Sequence, residues 1–294
     1  MPQEPFHLVI LTAAFCCSSL AFSQSPPAQI TSIQGAESRM YKTIDDAELI
    51  LHIFQPPARM EGEFLPAIVF FFGGGWTSGT VNQFVPHCRY LAERGMIAIV
   101  ADYRVRSRHG VTPYECVNDA KSAIRWVREN ADKYGIDTSR IAASGGSAGG
   151  HLAASTALVR GYDETSENLS ISSVPNALVL FNPALDMKSI LERRSNTDGQ
   201  GDLALRAEEI SPLHQVRKNA PPTIIFHGTA DTTVPIQQAE HFCQEMQRHQ
   251  NRCELIAFEG RPHAFFNYRD GSTADYLETL RLTDEFLVSI GYLK

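Results

Sequence analysis

The sequence predicts a doubly wound α/β fold, a mostly parallel sheet with helices on both faces, and three observations carry that expectation. Two apolar runs, Ala67 to Phe72 and Met96 to Ala101, lack polar alternation, as central strands buried on both faces do. Stretches of helical period alternate with runs of this kind along the chain. No internal repeat or low-complexity linker divides the 294 residues, a length that suits one large α/β domain or two small ones.

Residues 1–23 read as an export signal. Phe6 to Phe22 is largely apolar, and Ala21-Phe22-Ser23 offers small residues at the positions a signal peptidase inspects. The segment ahead of it carries Glu4 and neither Lys nor Arg, and a retained N-terminal anchor is the alternative. An exported protein, periplasmic or extracellular, is the expectation. Residues 24–39 form a Pro/Ser/Gln-rich lead-in, and one domain is expected over 40–294.

Within that domain, strands are expected at Leu49–Phe54, Leu65–Phe72, Met96–Ala101, Arg140–Ala143, Ala177–Phe181, Thr223–His227 and Glu254–Phe258. The clearest helix runs from Pro113 to Tyr134. Val117, Ala120, Ile124, Val127, Ala131 and Tyr134 lie on one face, Pro113 suits the first turn, and Gly135 suits the end. Further helices are expected at His151–Leu158, Ile236–Gln250 and Ala274–Ser289. Residues 182–222 make a longer connection, with a short helix near Ala204–Glu209, and are expected to form a small cap insertion.

Composition excludes some classes of partner. A net charge of −7 with 43% hydrophobic and 20% charged residues is that of an ordinary globular chain, and points to neither nucleic acid nor an anionic membrane surface. The histidines are scattered and no C-x-x-C occurs, so neither a metal nor a cofactor is expected. Beyond the leader, Cys243 can pair with Cys253, joining a helix to the next strand, and Cys88 with Cys116, joining two helices. Four free, buried thiols are the alternative.

Chemistry is concentrated at predicted strand ends, where open α/β sheets build their sites. Gly145-Gly146-Ser147-Ala148-Gly149 matches G-x-S-x-G, the pattern of a nucleophile on a strained strand-to-helix turn. Phe72-Gly73-Gly74-Gly75-Trp76 brings bare backbone N–H groups to another strand end, where they can stabilise a developing oxyanion, and Ala148 should add one more. Asp231 follows the strand at 223–227, and His263 follows the last strand. In the order Ser147, Asp231, His263 they supply a nucleophile, an orienting carboxylate and a general base. Asp186 lies too early to be the acid. His227 and His151 read as packed structural residues.

These motifs, with Asp102-Tyr103-Arg104, Gly228 to Pro235 and His263-Ala264-Phe265, resemble the α/β-hydrolase-fold esterases of the hormone-sensitive lipase-like group. Within that group the chain is most similar to bacterial carbohydrate-esterase members of the acetyl xylan and feruloyl type. The resemblance covers about residues 40–290. It implies the α/β-hydrolase fold, an oxyanion hole from the N–H groups of Gly74, Gly75 and Ala148, and a structural role for Asp102-Tyr103-Arg104. The sequence departs from the group's pattern at Phe72, where a His usually opens the glycine loop, and at Gly146, where an Asp commonly precedes the nucleophile. Gly146 leans towards sugar-ester-cleaving relatives. The expected activity is serine carboxylic-ester hydrolysis through an acyl-enzyme, on short-chain acyl or sugar-linked esters, including polysaccharide esters. A lipase on lipophilic esters, a prolyl-oligopeptidase-type peptidase and a non-catalytic binding module are the alternatives.

Overall fold

The computed structural model describes residues 28–60, 62–198 and 205–294. The proposed export signal, 1–23, lies outside them, as does part of the 182–222 connection. Eight strands form one sheet: β1 (Glu37–Ile44), β2 (Ala47–Phe54), β3 (Leu65–Phe71), β4 (Ile97–Ala101), β5 (Ile136–Gly146), β6 (Ala177–Phe181), β7 (Thr223–Gly228) and β8 (Cys253–Phe258). Their order is β1-β2-β4-β3-β5-β6-β7-β8. The β1–β2 and β2–β4 pairs are antiparallel, and every pair from β4 through β8 is parallel. The sheet is thus doubly wound and mostly parallel, as expected. β4, β6 and β7 are buried along their whole length, which accounts for their lack of polar alternation.

The longer helices are α1 (Val85–Glu93), α2 (Pro113–Glu129), α3 (Ala148–Leu158), α4 (Met187–Asp198), α5 (Gln237–Arg248) and α6 (Ala274–Ser289). α2 opens on a capping box made by Thr112 and Glu115. The helix expected over 113–134 breaks at Asn130, whose side-chain Nδ2 donates to Trp126 O at 2.9 Å, and a single turn, Ala131–Tyr134, follows. Gly135, at φ 65°, then ends that turn as expected. In the connection after β6, α4 is followed by two 3-10 turns, Ala207–Ile210 and Pro212–Gln215.

β1 went unread because it is an outer strand with mostly exposed charges. Its one buried residue, Lys42, forms an ion pair with Asp119 of α2 at 2.9 Å. Of the two cysteine pairings that the sequence allows, one is present. Cys243 of α5 is bonded to Cys253 of β8. Cys88 and Cys116 are free and buried, the alternative that the sequence left open for this pair. The Cys116 thiol faces the carbonyls of Arg104 and Thr112 at 3.1 and 3.2 Å, while Cys88 is enclosed in the apolar core. Burial pushes both thiols well above their ordinary pKa. Among the described residues no helix is long and apolar enough to cross a membrane.

The parallel run has a functional consequence. The carboxyl ends of β3, β5, β6, β7 and β8 all open on one edge of the sheet, so the loops that follow them meet there.

Candidate active site

Ser147 sits between β5 and α3 at φ 55°, ψ −119°, a conformation costly for a non-glycine residue. Three backbone bonds hold it there. Its N–H donates to Phe181 O at 2.9 Å, and its carbonyl accepts from His151 N at 3.0 Å and Ala184 N at 3.2 Å. The turn is possible because a Cβ on Gly149 would collide with Phe71 O, and one on Gly145 with the Gly149 backbone.

β8 delivers His263 and β7 delivers Asp231. His263 Nε2 lies 3.0 Å from Ser147 Oγ, and its Nδ1 lies 2.6 Å from Asp231 Oδ2. The carboxylate therefore selects the tautomer with the proton on Nδ1 and leaves Nε2 to accept from the serine hydroxyl. Asp231 Oδ1 accepts from Thr233 N and Val234 N, both at 2.9 Å. Burial alone would raise the pKa of this carboxyl. Hydrogen bonds from His227, His263 and Val234 N–H outweigh it and hold Asp231 well below the usual carboxylate range. His227 is wholly buried, as its packed character suggested. Its Nε2 lies 2.8 Å from Val234 O and 3.4 Å from Asp231 Oδ2, so it also braces the acid loop.

The glycine loop bends sharply: Gly74 has φ 129°, Gly75 φ 63° and Trp76 φ 59°, and Gly74 O accepts from Thr77 N and Ser78 N, each at 3.1 Å. It abuts the serine, since a Cβ on Gly73 would sit 3.4 Å from Ser147 Cβ. Ala148 begins α3 directly after Ser147. Phe72, in the place of the usual histidine, stacks on Tyr103 with ring centroids 4.2 Å apart, and Tyr103 Oη donates to Phe72 O at 2.8 Å. A polar brace comes from elsewhere. Gln83 Oε1 accepts from Gly73 N at 2.6 Å, and its Nε2 donates to Asn267 Oδ1 at 3.0 Å, tying the glycine loop to the segment that follows His263. Trp76 Nε1 donates to His151 Nδ1 at 3.1 Å, and His151 Nε2 donates to Ile210 O at 2.7 Å. Burial holds His151 neutral, with its pKa lowered to about 4.

Asn182, at the end of β6, secures the base from behind. Its Oδ1 accepts from Ala264 N at 3.0 Å, and both residues have positive φ, 32° and 62°. Gly146 has a packing reason: a Cβ there would come within 2.5 Å of Phe266 Cζ, so the ring occupies the space an aspartate would need. Asp186 lies outside the triad and caps α4, accepting from Ser189 N at 3.2 Å. The three predicted triad residues therefore meet, and Gly74, Gly75 and Ser147 line one cavity of about 550 Å³. Its other walls come from Trp76, Gln83, Asn182, Ala184, Ile190, Arg193, Val234, His263 and Phe266, among others. Gln83, Asn182 and Asn267 were not singled out from the sequence. Asn182 had a signal, an Asn-Pro pair at a strand's carboxyl end. Gln83 had none, because its partner Asn267 is 184 positions away.

The BD-FAE family model matches residues 51–246. Among solved structures, esterase 2 of Thermogutta terrifontis phosphorylated by paraoxon is 48% identical, with a TM-score of 0.83 over 89% of this chain and 96% of that one. The propionate-bound form of the same esterase is 49% identical, with a TM-score of 0.83 over 88% and 96% of the two chains. Among curated proteins, esterase LipC of Mycobacterium tuberculosis is 29% identical over 216 residues, which are 68% of this chain and 53% of LipC. The chain thus spans about half the length of that relative. With its sheet order, strained serine turn and family match, the chain belongs to the BD-FAE family of α/β-hydrolase esterases.

Proposed function

We propose that the chain is a serine carboxylesterase that works through an acyl-enzyme. The supporting observation is the unbroken chain of hydrogen bonds from Asp231 through His263 to Ser147, at 2.6 and 3.0 Å. Ser147 Oγ attacks the ester carbonyl as its proton passes to His263 Nε2. The N–H groups of Gly74, Gly75 and Ala148 hold the oxyanion, and His263 returns the proton to the departing alkoxide. Water, activated by the same imidazole, then releases the acid. Asp231 remains ionised throughout and orients the ring.

The finer reading is an esterase for short acyl groups, including acetyl or feruloyl groups carried by sugars. The family match supports it, as do the propionate- and butyrate-bound forms of the Thermogutta esterase. Phe266 against Gly146 closes one wall of the cavity and favours a small acyl group. Export is proposed alongside, since the Cys243–Cys253 bond suits an oxidising compartment.

A fluorophosphonate probe tests the core of the proposal. It should label the unaltered protein and leave Ser147→Ala unlabelled, with hydrolysis of p-nitrophenyl acetate falling by about 10⁴-fold or more. Labelling that survives in Ser147→Ala would rule out the assigned nucleophile. Acetate release from acetylated xylan, compared with simple acetate esters, tests the sugar-ester reading, and faster turnover of long-chain than acetyl esters would reject the short-acyl one.

A further inference from the structure

Building on the esterase reading, we propose that the pocket selects esters bearing a second, anionic group, a free carboxylate, and that Arg193 is the residue that binds it. Arg193 and Ile190 stand three residues apart on α4 and both line the cavity, so one face of that helix forms part of the wall. Among the described residues, Arg193 is the one Lys, Arg, Asp or Glu in that lining; the other described lining groups are glycine backbone, neutral polar side chains, His263 and apolar residues such as Trp76, Val234 and Phe266. A cation beside low-dielectric walls concentrates its field in the cleft and draws anions towards it.

The guanidinium is only partly engaged. Its Nε donates to Ser189 O at 3.2 Å, which steadies the stem of the side chain and leaves the two Nη groups for a ligand. The nearby cations differ. Lys188 pairs with Glu208 at 2.7 Å, and Arg206 with Glu209 at 2.8 Å, whereas Arg193 has no carboxylate within salt-bridge distance among the described residues. A guanidinium presenting paired N–H groups matches a carboxylate bidentately, and a lysine would not reproduce that fork. Hydrolysis itself is unchanged: Ser147 attacks the ester carbonyl while the second carboxylate stays bound and intact.

Matched ester pairs differing in one charge test the proposal. Monoethyl succinate against diethyl succinate places the carboxylate on the acyl side, and 4-acetoxybenzoate against its methyl ester places it on the alcohol side. In the unaltered protein at least one anionic ester should show the lower KM of its pair, and that KM should rise with ionic strength. Arg193→Gln should raise KM for that anion by about fivefold, well beyond any change for the neutral partner, and Arg193→Lys should recover only part of the loss. The pair that responds identifies the side of the ester that carries the charge. Equal KM effects on charged and neutral esters, or no preference in either pair, would overturn the proposal. Cleavage of p-nitrophenyl acetate but of none of the four would also overturn it, whereas failure on p-nitrophenyl acetate as well would remove the esterase reading on which it rests.

Discussion

Two side chains show how much a single residue decides here. Gln83 spans the glycine loop and the segment behind the base through both ends of one amide. Gln83→Leu keeps the size and removes both bonds, so Gly73 loses its acceptor and the glycine N–H groups proposed to hold the oxyanion shift relative to Ser147. We expect kcat for p-nitrophenyl acetate to fall by about tenfold with KM little changed, because misplaced donors weaken the transition state more than the ground state. Steady-state kinetics with that ester checks it. His87 acts on stability. It lies among Phe70, Phe84, Phe181, Phe266 and Tyr276, neither ring nitrogen has a partner, and burial lowers its pKa to about 3. The unfolded chain, with an ordinary histidine pKa near 6.5, binds this proton first. Stability tied to His87 is therefore full above about pH 6.5 and is lost as pH falls towards 3. Between pH 7 and 5 the loss should be on the order of 2 kcal/mol. His87→Leu should flatten that acid slope in urea titrations, and an unchanged slope would show that other groups set it.

At the scale of elements, the disulfide between α5 and β8 closes a short loop of sequence separation 10 and fixes the strand that leads to His263. Replacing both cysteines with serine should cost about 2–3 kcal/mol in chemical denaturation, following the chain-entropy estimate for so short a loop. Dithiothreitol should lower the unaltered protein's melting temperature and leave the variant's unchanged. The elements also show what a sequence can display. β3, β4, β6 and β7 were legible because burial on both faces leaves them nearly all apolar, with Thr223 and His227 of β7 as the polar exceptions. Ser147, Asp231 and His263 were legible because the site lies at the ends of those strands. β1 was not, since Glu37, Arg39 and Lys42 break its apolar pattern and its pairing with β2 supplies the reason it is a strand. The bridge through Gln83 was hidden for a similar reason: its meaning lies in a partner brought close only by the fold.

Across the whole molecule, one buried carboxylate joins parts far apart in sequence. Asp119 accepts from Arg104 through both oxygens, at 2.8 and 2.9 Å, and pairs with Lys42 of β1 at 2.9 Å. Beside it Arg108 pairs with Asp102 at 2.7 Å, which gives Asp102-Tyr103-Arg104 its structural role. Asp119→Ala would strand the buried Arg104 guanidinium and leave Lys42 only Glu164, at 3.2 Å, so about 3–5 kcal/mol should be lost in a denaturant titration, far more than from Arg281→Ala on the exposed α6 surface. At the other end of the stability balance stands the left-handed backbone at Trp76, Ser147, Asn182 and Ala264, all of which line the same cavity. Each such residue costs on the order of 1–3 kcal/mol. Selection for heat resistance and selection for turnover therefore pull against each other at this cavity. A change such as Ala264→Gly would relax the backbone behind the base and loosen its aim, so the catalytic edge of the sheet is where a tougher but slower enzyme would first arise.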